Sequence, residues 1–90
     1  MRGWQVYLLK CADLSLYCGI TNNLKARINT HNAGRGAKYT RGRLPVTLVA
    51  ASLEMTKSQA LKCELYIKKL PRPKKISTLI KQDPKEEMTR

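Results

Sequence analysis

Two strand-like segments lie close together near the start of the chain, and they constrain its fold more than any other feature. β-Branched and aromatic residues make Trp4–Lys10 and Leu16–Thr21 typical of strands. The turn-forming stretch Ala12–Ser15 between them is short enough for an antiparallel hairpin. The pattern therefore places Tyr7 and Tyr17 on adjacent strands.

A helix and a polar segment are predicted after the hairpin. Asn22 and Asn23 can cap a helix over about Leu24–Ala33, which Gly34 would end in the left-handed conformation. The stretch from Gly34 to Arg43 has three glycines, four cations and one aromatic residue, without an apolar period. It is predicted to be a surface loop.

One more strand and two more helices complete the pattern. Val46–Leu53 is typical of a strand, and Thr56–Gln59 has the form of a capping box that opens a helix over about Lys57–Leu70. Pro71 and Pro73 end that helix, and a last one covers about 74–81. The order β-β-α-β-α-α indicates an α/β (α+β) fold with a small three-stranded, mainly antiparallel sheet flanked by helices. Residues 1–82 are expected to form a single domain, followed by a polar tail at 83–90.

Positive charge is concentrated in the middle of the chain. Eighteen Lys and Arg residues face six Asp and Glu residues, for a formal net charge of +12, and Glu54 and Glu64 are the only acids between Leu14 and Gln82. A field of this sign attracts polyanions over about 8 Å at physiological salt. The charge therefore indicates a nucleic-acid partner. A ribosome-associated protein or a merely basic soluble protein is the alternative from charge alone.

Zinc and membrane partners find little support in the sequence. Cys11, Cys18 and Cys63 form no C-x-x-C pair, and His31 is far from all three. No stretch resembles a signal peptide or a membrane span, so a cytoplasmic location with no membrane partner is expected.

Glu64 is the residue that an ordinary surface helix explains least well. Its neighbours one turn away are Ala60, Leu61, Ile67 and Lys68, so the carboxylate lies on or beside the face that packs inward. A carboxylate there needs a cation, hydrogen-bond donors or a metal ion. An ordinary Glu64–Lys68 ion pair would also meet this need.

Arg27 and His31 form the second candidate group. They are spaced i, i+4 and share one face of the first predicted helix. Such a pair can bind a phosphate and transfer a proton. A solvated Arg27 beside a half-buried His31 is the alternative from spacing alone. Tyr7 and Tyr17 taken alone are ordinary strand residues.

Taken together, these residues resemble the GIY-YIG nucleases, whose opening hairpin carries the two triplets of that name. The triplets here are Val6-Tyr7-Leu8 and Tyr17-Cys18-Gly19. Arg27, His31 and Glu64 follow in the family's order on the next helices, and the resemblance runs from Trp4 to about Ile80. The stretch from His31 to Thr40 looks most like a short stand-alone bacterial branch, related to the catalytic subunit of flap and junction endonucleases. The family's downstream Asn is missing, because no Asn follows Asn32.

The resemblance implies a metal-dependent endonuclease that hydrolyses nucleic-acid phosphodiesters, with DNA favoured over RNA, in DNA processing or repair. Glu64 would hold one Mg²⁺ or Mn²⁺ ion, Arg27 would bind the scissile phosphate, and Tyr17 or His31 would be the base. Tyr7 would be hydrogen-bonded nearby. The flanking substrate would contact a further set of residues: Gly19, Arg35, Lys38, Tyr39, Arg41, Arg43, Lys68, Lys69, Arg72, Lys74 and Lys75.

A second function stays open. A module that kept the fold but lost turnover would bind RNA or a ribosome partner without cutting. The missing Asn favours this function, and the presence of Arg27, His31 and Glu64 favours the enzyme. A domain this small is expected to need a protein partner for specificity.

Overall fold

The computed structural model of the chain describes residues 3–80. Within them, the elements are β1 (Gln5–Lys10), β2 (Leu16–Thr21), α1 (Leu24–Asn32), α2 (Lys38–Arg41), β3 (Thr47–Ala51), α3 (Lys57–Lys69) and α4 (Arg72–Ile80). The predicted order and the α+β class are confirmed, with the short α2 added. The predicted tail at 83–90 and the predicted helix end at Lys81 lie outside this range. None of the helices in this range is both long enough and apolar enough to traverse a bilayer.

The strands form an antiparallel sheet in the order β2-β1-β3. The register pairs Tyr7 with Gly19 and Leu9 with Tyr17. Alternate residues of a strand point to the same face, so Tyr7 and Tyr17 are diagonal neighbours on one face of the hairpin. Their predicted placement on adjacent strands is confirmed.

Strand β1 is buried on both sides, because helices cover both faces of the sheet. Val6 and Leu8 belong to a core shared with α3 and α4. Tyr7 and Leu9 belong to a second core, to which α1 contributes Ile28. The α1 face of the sheet therefore carries the tyrosines, and the opposite face carries the contacts with α3.

Capping residues lie at the observed ends of α1 and α3. The Asn23 side chain accepts a hydrogen bond from the Ala26 backbone N–H, and Gly34 follows α1 with a φ of 79°. Thr56 and Gln59 form the capping box of α3. The Asn23, Thr56 and Gln59 side chains confirm the predicted starts of α1 and α3, because each accepts a hydrogen bond from a backbone N–H group that the helix cannot pair internally. The left-handed Gly34 confirms the predicted end of α1.

The last helix begins earlier than predicted, at Arg72 rather than Lys74. The Lys75 ammonium donates to the carbonyl oxygens of Ile67 and Lys68 at the end of α3, at 3.0 Å each. This contact ties α4 to the C-terminus of α3, where a cation complements the helix dipole.

The stretch from Gly34 to Arg43 is not the simple surface loop that was predicted. It contains α2, and Gly36 and Thr40 within it are buried. The physical reason is tertiary, because this segment closes over the ring of His31. Apolar periodicity in a sequence does not indicate burial that depends on polar contacts.

Candidate active site

Four side chains from β1, β2 and α1 converge on the α1 face of the sheet: Tyr7, Tyr17, Arg27 and His31. The ring centroids lie 6.3 Å apart for Tyr7 and Tyr17, 6.0 Å for Tyr7 and His31, and 5.3 Å for Tyr17 and His31. The Arg27 guanidinium lies beside the hydroxyl groups of both tyrosines. A cation and two phenols therefore share one site at the edge of the sheet.

His31 is fully buried and has a hydrogen-bond partner at each ring nitrogen. Its Nδ1 lies 2.9 Å from Thr40 Oγ1, and that hydroxyl donates its proton to the Ala37 carbonyl oxygen over 2.9 Å. The Thr40 oxygen must then accept from His31 Nδ1–H, since a hydroxyl has one proton to donate. Nε2 is left as the acceptor, and the Tyr7 hydroxyl donates to it over 3.0 Å.

Burial and charge set the protonation states of this cluster. Burial, aided by the nearby Arg27 charge, lowers the pKa of His31 below its ordinary value of 6.5. Burial raises the pKa of Tyr7, although the Arg27 guanidinium beside it acts in the opposite direction. The adjacent Tyr7 hydroxyl raises the pKa of Arg27. At neutral pH the cluster therefore holds a neutral His31, a neutral Tyr7 and a charged Arg27.

We expect the free energy of unfolding to fall as the pH drops below 6.5, the ordinary pKa of the His31 imidazole. The unfolded chain takes up a proton there, whereas the folded protein keeps His31 neutral to a lower pH. The unfolded state thus binds more protons in this window, and acid favours unfolding until the pH passes below the folded pKa. Chemical denaturation of the wild type and His31→Gln between about pH 5 and 8 measures this effect. The variant should have the flatter profile, and equal slopes would contradict the prediction.

Two glycines make room for the cluster. A Cβ atom on Gly19 would lie 2.6 Å from the Tyr7 hydroxyl oxygen, so the space expected for substrate beside Gly19 is filled by Tyr7. Contact between Gly19 and the substrate stays a prediction. Gly36 lies against the His31 ring, where any Cβ atom would overlap it. Sequence reasoning missed Gly36 and Thr40, for which the glycine content of the segment was the only signal.

Replacing Thr40 with valine tests whether its hydroxyl holds the His31 ring. Valine has nearly the same shape, but it leaves the buried Nδ1–H without a partner, so we expect a loss of about 1–3 kcal/mol in the free energy of unfolding. Thr40→Ser keeps the hydroxyl and serves as the control. Nitrogen NMR of the imidazole should show the Nδ1–H tautomer in the wild type and Thr40→Ser, and a tautomer mixture in Thr40→Val. An unchanged tautomer in Thr40→Val would contradict the assigned hydrogen bond.

Glu64 lies on α3 and therefore on the opposite face of the sheet from Tyr7. Its side chain is 16% exposed, and Oε2 lies 3.4 Å from the Lys68 ammonium. The sequence offered two interpretations of Glu64, an inward position and an ion pair with Lys68. The structure shows both. Burial raises the pKa of the Cys18 thiol to about 12, and the Glu64 charge adds to this effect. Since Cys18 follows Tyr17 on the edge strand, Glu64 lies close to the β2 edge rather than inside the cluster.

The potential metal ligands among the described residues fit Mg²⁺ or Mn²⁺ better than zinc. Within residues 3–80, no three His, Cys, Asp or Glu side chains are grouped so that they could hold a metal together. A closed zinc site with four protein ligands therefore does not fit this part of the chain. The single carboxylate of Glu64 does fit Mg²⁺ or Mn²⁺, because such ions take oxygen ligands and Mg²⁺ commonly keeps several waters.

The residues expected to bind flanking phosphates differ in exposure. Exposed members of the set are Arg35, Lys38, Tyr39, Arg41, Lys68, Lys69, Arg72 and Lys74, whereas Arg43 and Lys75 are half-buried. Arg43 donates to Asp13 Oδ2 over 2.9 Å and to the Tyr39 carbonyl oxygen over 2.6 Å. Its guanidinium also lies 4.1 Å from the centre of the Tyr39 ring. Arg43 therefore holds the segment in shape, with fewer donors left for a phosphate.

Comparison with known proteins gives a consistent result. Residues 3–77 match the model of the GIY-YIG catalytic domain. The UPF0213 protein CPE1444 of Clostridium perfringens is 54% identical over 82 residues, which cover 91% of this chain and 88% of that protein. The solution NMR structure of the UPF0213 protein BH0048 from Bacillus halodurans has a TM-score of 0.53 and 42% identity, covering 99% of this chain and 95% of that one. The solution NMR structure of EF2693 from E. faecalis has a TM-score of 0.61 and 38% identity, covering 88% and 84%.

Proposed function

The chain belongs to the GIY-YIG family of catalytic domains, in its small stand-alone bacterial branch, and from this premise we propose that it is a metal-dependent endonuclease. Its substrate would be nucleic acid, with DNA favoured over RNA, and its role would lie in DNA processing or repair. The observation that carries this proposal is the proximity of Arg27 to Tyr7 and Tyr17 on one face of the sheet.

Arg27 supplies the positive charge that phosphodiester hydrolysis needs at the phosphoryl oxygens. A guanidinium has a planar set of donors that can contact two phosphate oxygens at once, which fixes the scissile group as well as attracting it. Arg27 is half-buried on α1 beside the two tyrosines, which would hold its guanidinium in place for an arriving phosphate.

Tyr17 is the proposed group that orients and activates the attacking water. It is half-buried on the edge strand β2, next to Arg27, whereas His31 is fully buried and its Nε2 faces the Tyr7 hydroxyl. This burial supports Tyr17 rather than His31 as the base in contact with water. His31 and Tyr7 would then position Arg27 and Tyr17 through the hydrogen-bond chain that ends at Thr40.

Glu64 is the proposed metal ligand. A bound Mg²⁺ or Mn²⁺ would supply charge stabilisation to the phosphate and the departing 3′ oxygen. Glu64 is partly buried near the β2 edge, and its carboxylate is at present paired with Lys68. Lys68 would have to move for the carboxylate to take a metal, and its ammonium would then be free for a substrate phosphate.

A catalytically weak or inactive nucleic-acid-binding module, an RNA or ribosome partner that keeps the nuclease fold, is the second candidate function. The observation that favours it is the Glu64–Lys68 contact of 3.4 Å, since a carboxylate neutralised by an ammonium has less need of a metal ion. This module would bind nucleic acid with a steep salt dependence in the presence of chelator. It would show no cleavage when metal is added.

Digestion of end-labelled branched, single-stranded and duplex DNA, together with matched RNA, distinguishes the two functions. We expect products to accumulate with Mg²⁺ or Mn²⁺ and to stop on addition of chelator. Binding measured in chelator on the same substrates gives the control for protein that is folded and competent to bind. Binding without cleavage at any metal concentration would favour the second candidate over the first.

A further inference from the structure

A groove beside Tyr17 combines an apolar interior with positive charge. It encloses about 230 Å³ between the hairpin, α2, α3 and α4. Leu8, which is fully buried, and Leu16 line it from the hairpin, and Lys68 and Lys75 line it from the two helices. The apolar residues of the interior offer no donors to a phosphate, whereas the two lysines of the wall do. A ligand that fits this groove would have a flat, apolar part for the interior and a negative charge next to it for the lysines.

Tyr39 forms an aromatic wall of this groove and is fixed in orientation by its neighbours. Its ring stacks on Tyr17 with a centroid separation of 5.9 Å and an angle of 30° between the planes. Arg43 lies over the ring and is itself anchored to Asp13 and to the Tyr39 carbonyl. Tyr39 as a whole residue is still 40% exposed, and it lines the groove together with Tyr17. Because its side chain is already oriented, packing a base against its exposed part costs little side-chain entropy.

Two lysines supply the positive charge of the groove. Lys75 is held in position, because it donates two of its three N–H groups to the Ile67 and Lys68 carbonyl oxygens. Lys68 is half-exposed, and its ammonium lies 3.4 Å from Glu64 Oε2 in an ion pair that can open. An anion attached to a ring in the groove would meet them at short range.

We infer that this groove binds one unpaired nucleobase, with the phosphate of that nucleotide against Lys68 and Lys75. A base within a duplex has both faces covered by its neighbours and its edge paired, so it cannot enter a pocket of this kind. A base in a single strand, or one extruded from a duplex, exposes the ring face that aromatic side chains bind. The inference rests on the proposed function for the identity of the polymer, and it adds that the nucleotide beside Tyr17 is unpaired when bound.

Fluorescence of 2-aminopurine in a short single-stranded oligonucleotide tests this inference in chelator, so that no cleavage takes place. Stacking in the groove should quench the emission of the wild-type complex. Tyr39→Ala should remove the quenching and weaken binding on the order of tenfold or more, the usual loss for one stacked base. Tyr39→Phe keeps the ring and should bind like the wild type. Tyr66→Ala is the matched control, because Tyr66 is an exposed tyrosine on α3 that does not line the groove.

An abasic version of the oligonucleotide completes the experiment. It keeps every phosphate, so it should bind the wild type more weakly than the intact strand and should bind Tyr39→Ala about as well as the intact strand does. Equal affinity of the wild type for both strands, or quenching that persists in Tyr39→Ala, would overturn the inference. Quenching without any cleavage on later addition of metal would refute the nuclease and leave the base site standing.

Discussion

Arg27→Ala is expected to lower the rate of phosphodiester cleavage on the order of 10²–10³-fold, the usual cost of removing one group that stabilises transition-state charge. The rate constant should fall more than the substrate affinity, because many other surface cations also contact the phosphates of the substrate. Arg27→Lys keeps the charge but not the planar pair of donors, so it should recover only part of the rate. Single-turnover cleavage with saturating enzyme separates the two effects.

Lys25→Ala is the matched control for Arg27. Lys25 is an exposed cation on the same helix, two residues earlier, and it loses the same formal charge on substitution. Its cleavage rate should stay close to that of the wild type, with a small decrease in the salt dependence of binding. Similar rate losses in Lys25→Ala and Arg27→Ala would show that net charge alone is responsible and would remove Arg27 from the proposed site.

Glu64→Gln is expected to abolish metal-dependent cleavage and to weaken Mn²⁺ binding strongly. Changes to outer partners of metal ligands already cost roughly 10- to 100-fold in affinity, so the loss of the proposed carboxylate ligand itself should exceed that range. Paramagnetic resonance of free Mn²⁺ during a titration measures binding independently of cleavage. Glu54→Gln is the control, because Glu54 is an exposed glutamate that contacts the Gly3 backbone instead of the cluster. Equal Mn²⁺ affinity of the wild type and Glu64→Gln would exclude Glu64 as the ligand.

In the ion pair with Glu64, the Lys68 ammonium would compete with the proposed metal ion for the carboxylate. An ammonium at 3.4 Å from the carboxylate neutralises part of the charge that would attract a dication. The pair is half exposed on the lysine side, so its own contribution to stability is small and it can open at little cost. Metal binding and phosphate binding by Lys68 would then support each other, since the metal frees the ammonium for the substrate.

Several parts of the fold follow from local patterns that need no tertiary information. The β-branched and aromatic residues of the first two segments indicate strands, and the short turn between them indicates a hairpin that places Tyr7 and Tyr17 on neighbouring strands. Asn23, Gly34, Thr56 and Gln59 mark helix ends because they satisfy backbone groups within one turn of their own position. Such signals are short-range, and for this reason they survive in the sequence without knowledge of what packs against them.

The environment of each candidate residue depends on contacts between distant segments. His31 is an ordinary helix residue by spacing, yet Gly36, Thr40 and Tyr7 enclose it, and its burial lowers the pKa of its imidazole. The stretch from Gly34 to Arg43 was predicted to be an exposed loop because its polar composition is evident from the sequence. Its packing against the His31 ring is not evident from the sequence. The space at Gly19 goes to the Tyr7 hydroxyl for a similar reason, since only the strand register brings the two together.

The amino-acid sequence by itself determined the order of elements, the capping of the helices, the positive field and the residue types of the site. Periodicity, capping and charge act over a few residues or are summed over the whole chain, so they can be read without coordinates. Only the tertiary structure decided that Arg27 meets two tyrosine hydroxyls, that Glu64 approaches from the opposite face of the sheet, and that Tyr39 closes a groove beside Tyr17. Those relations depend on packing between segments far apart in the chain, where small differences in side-chain fit decide which groups meet.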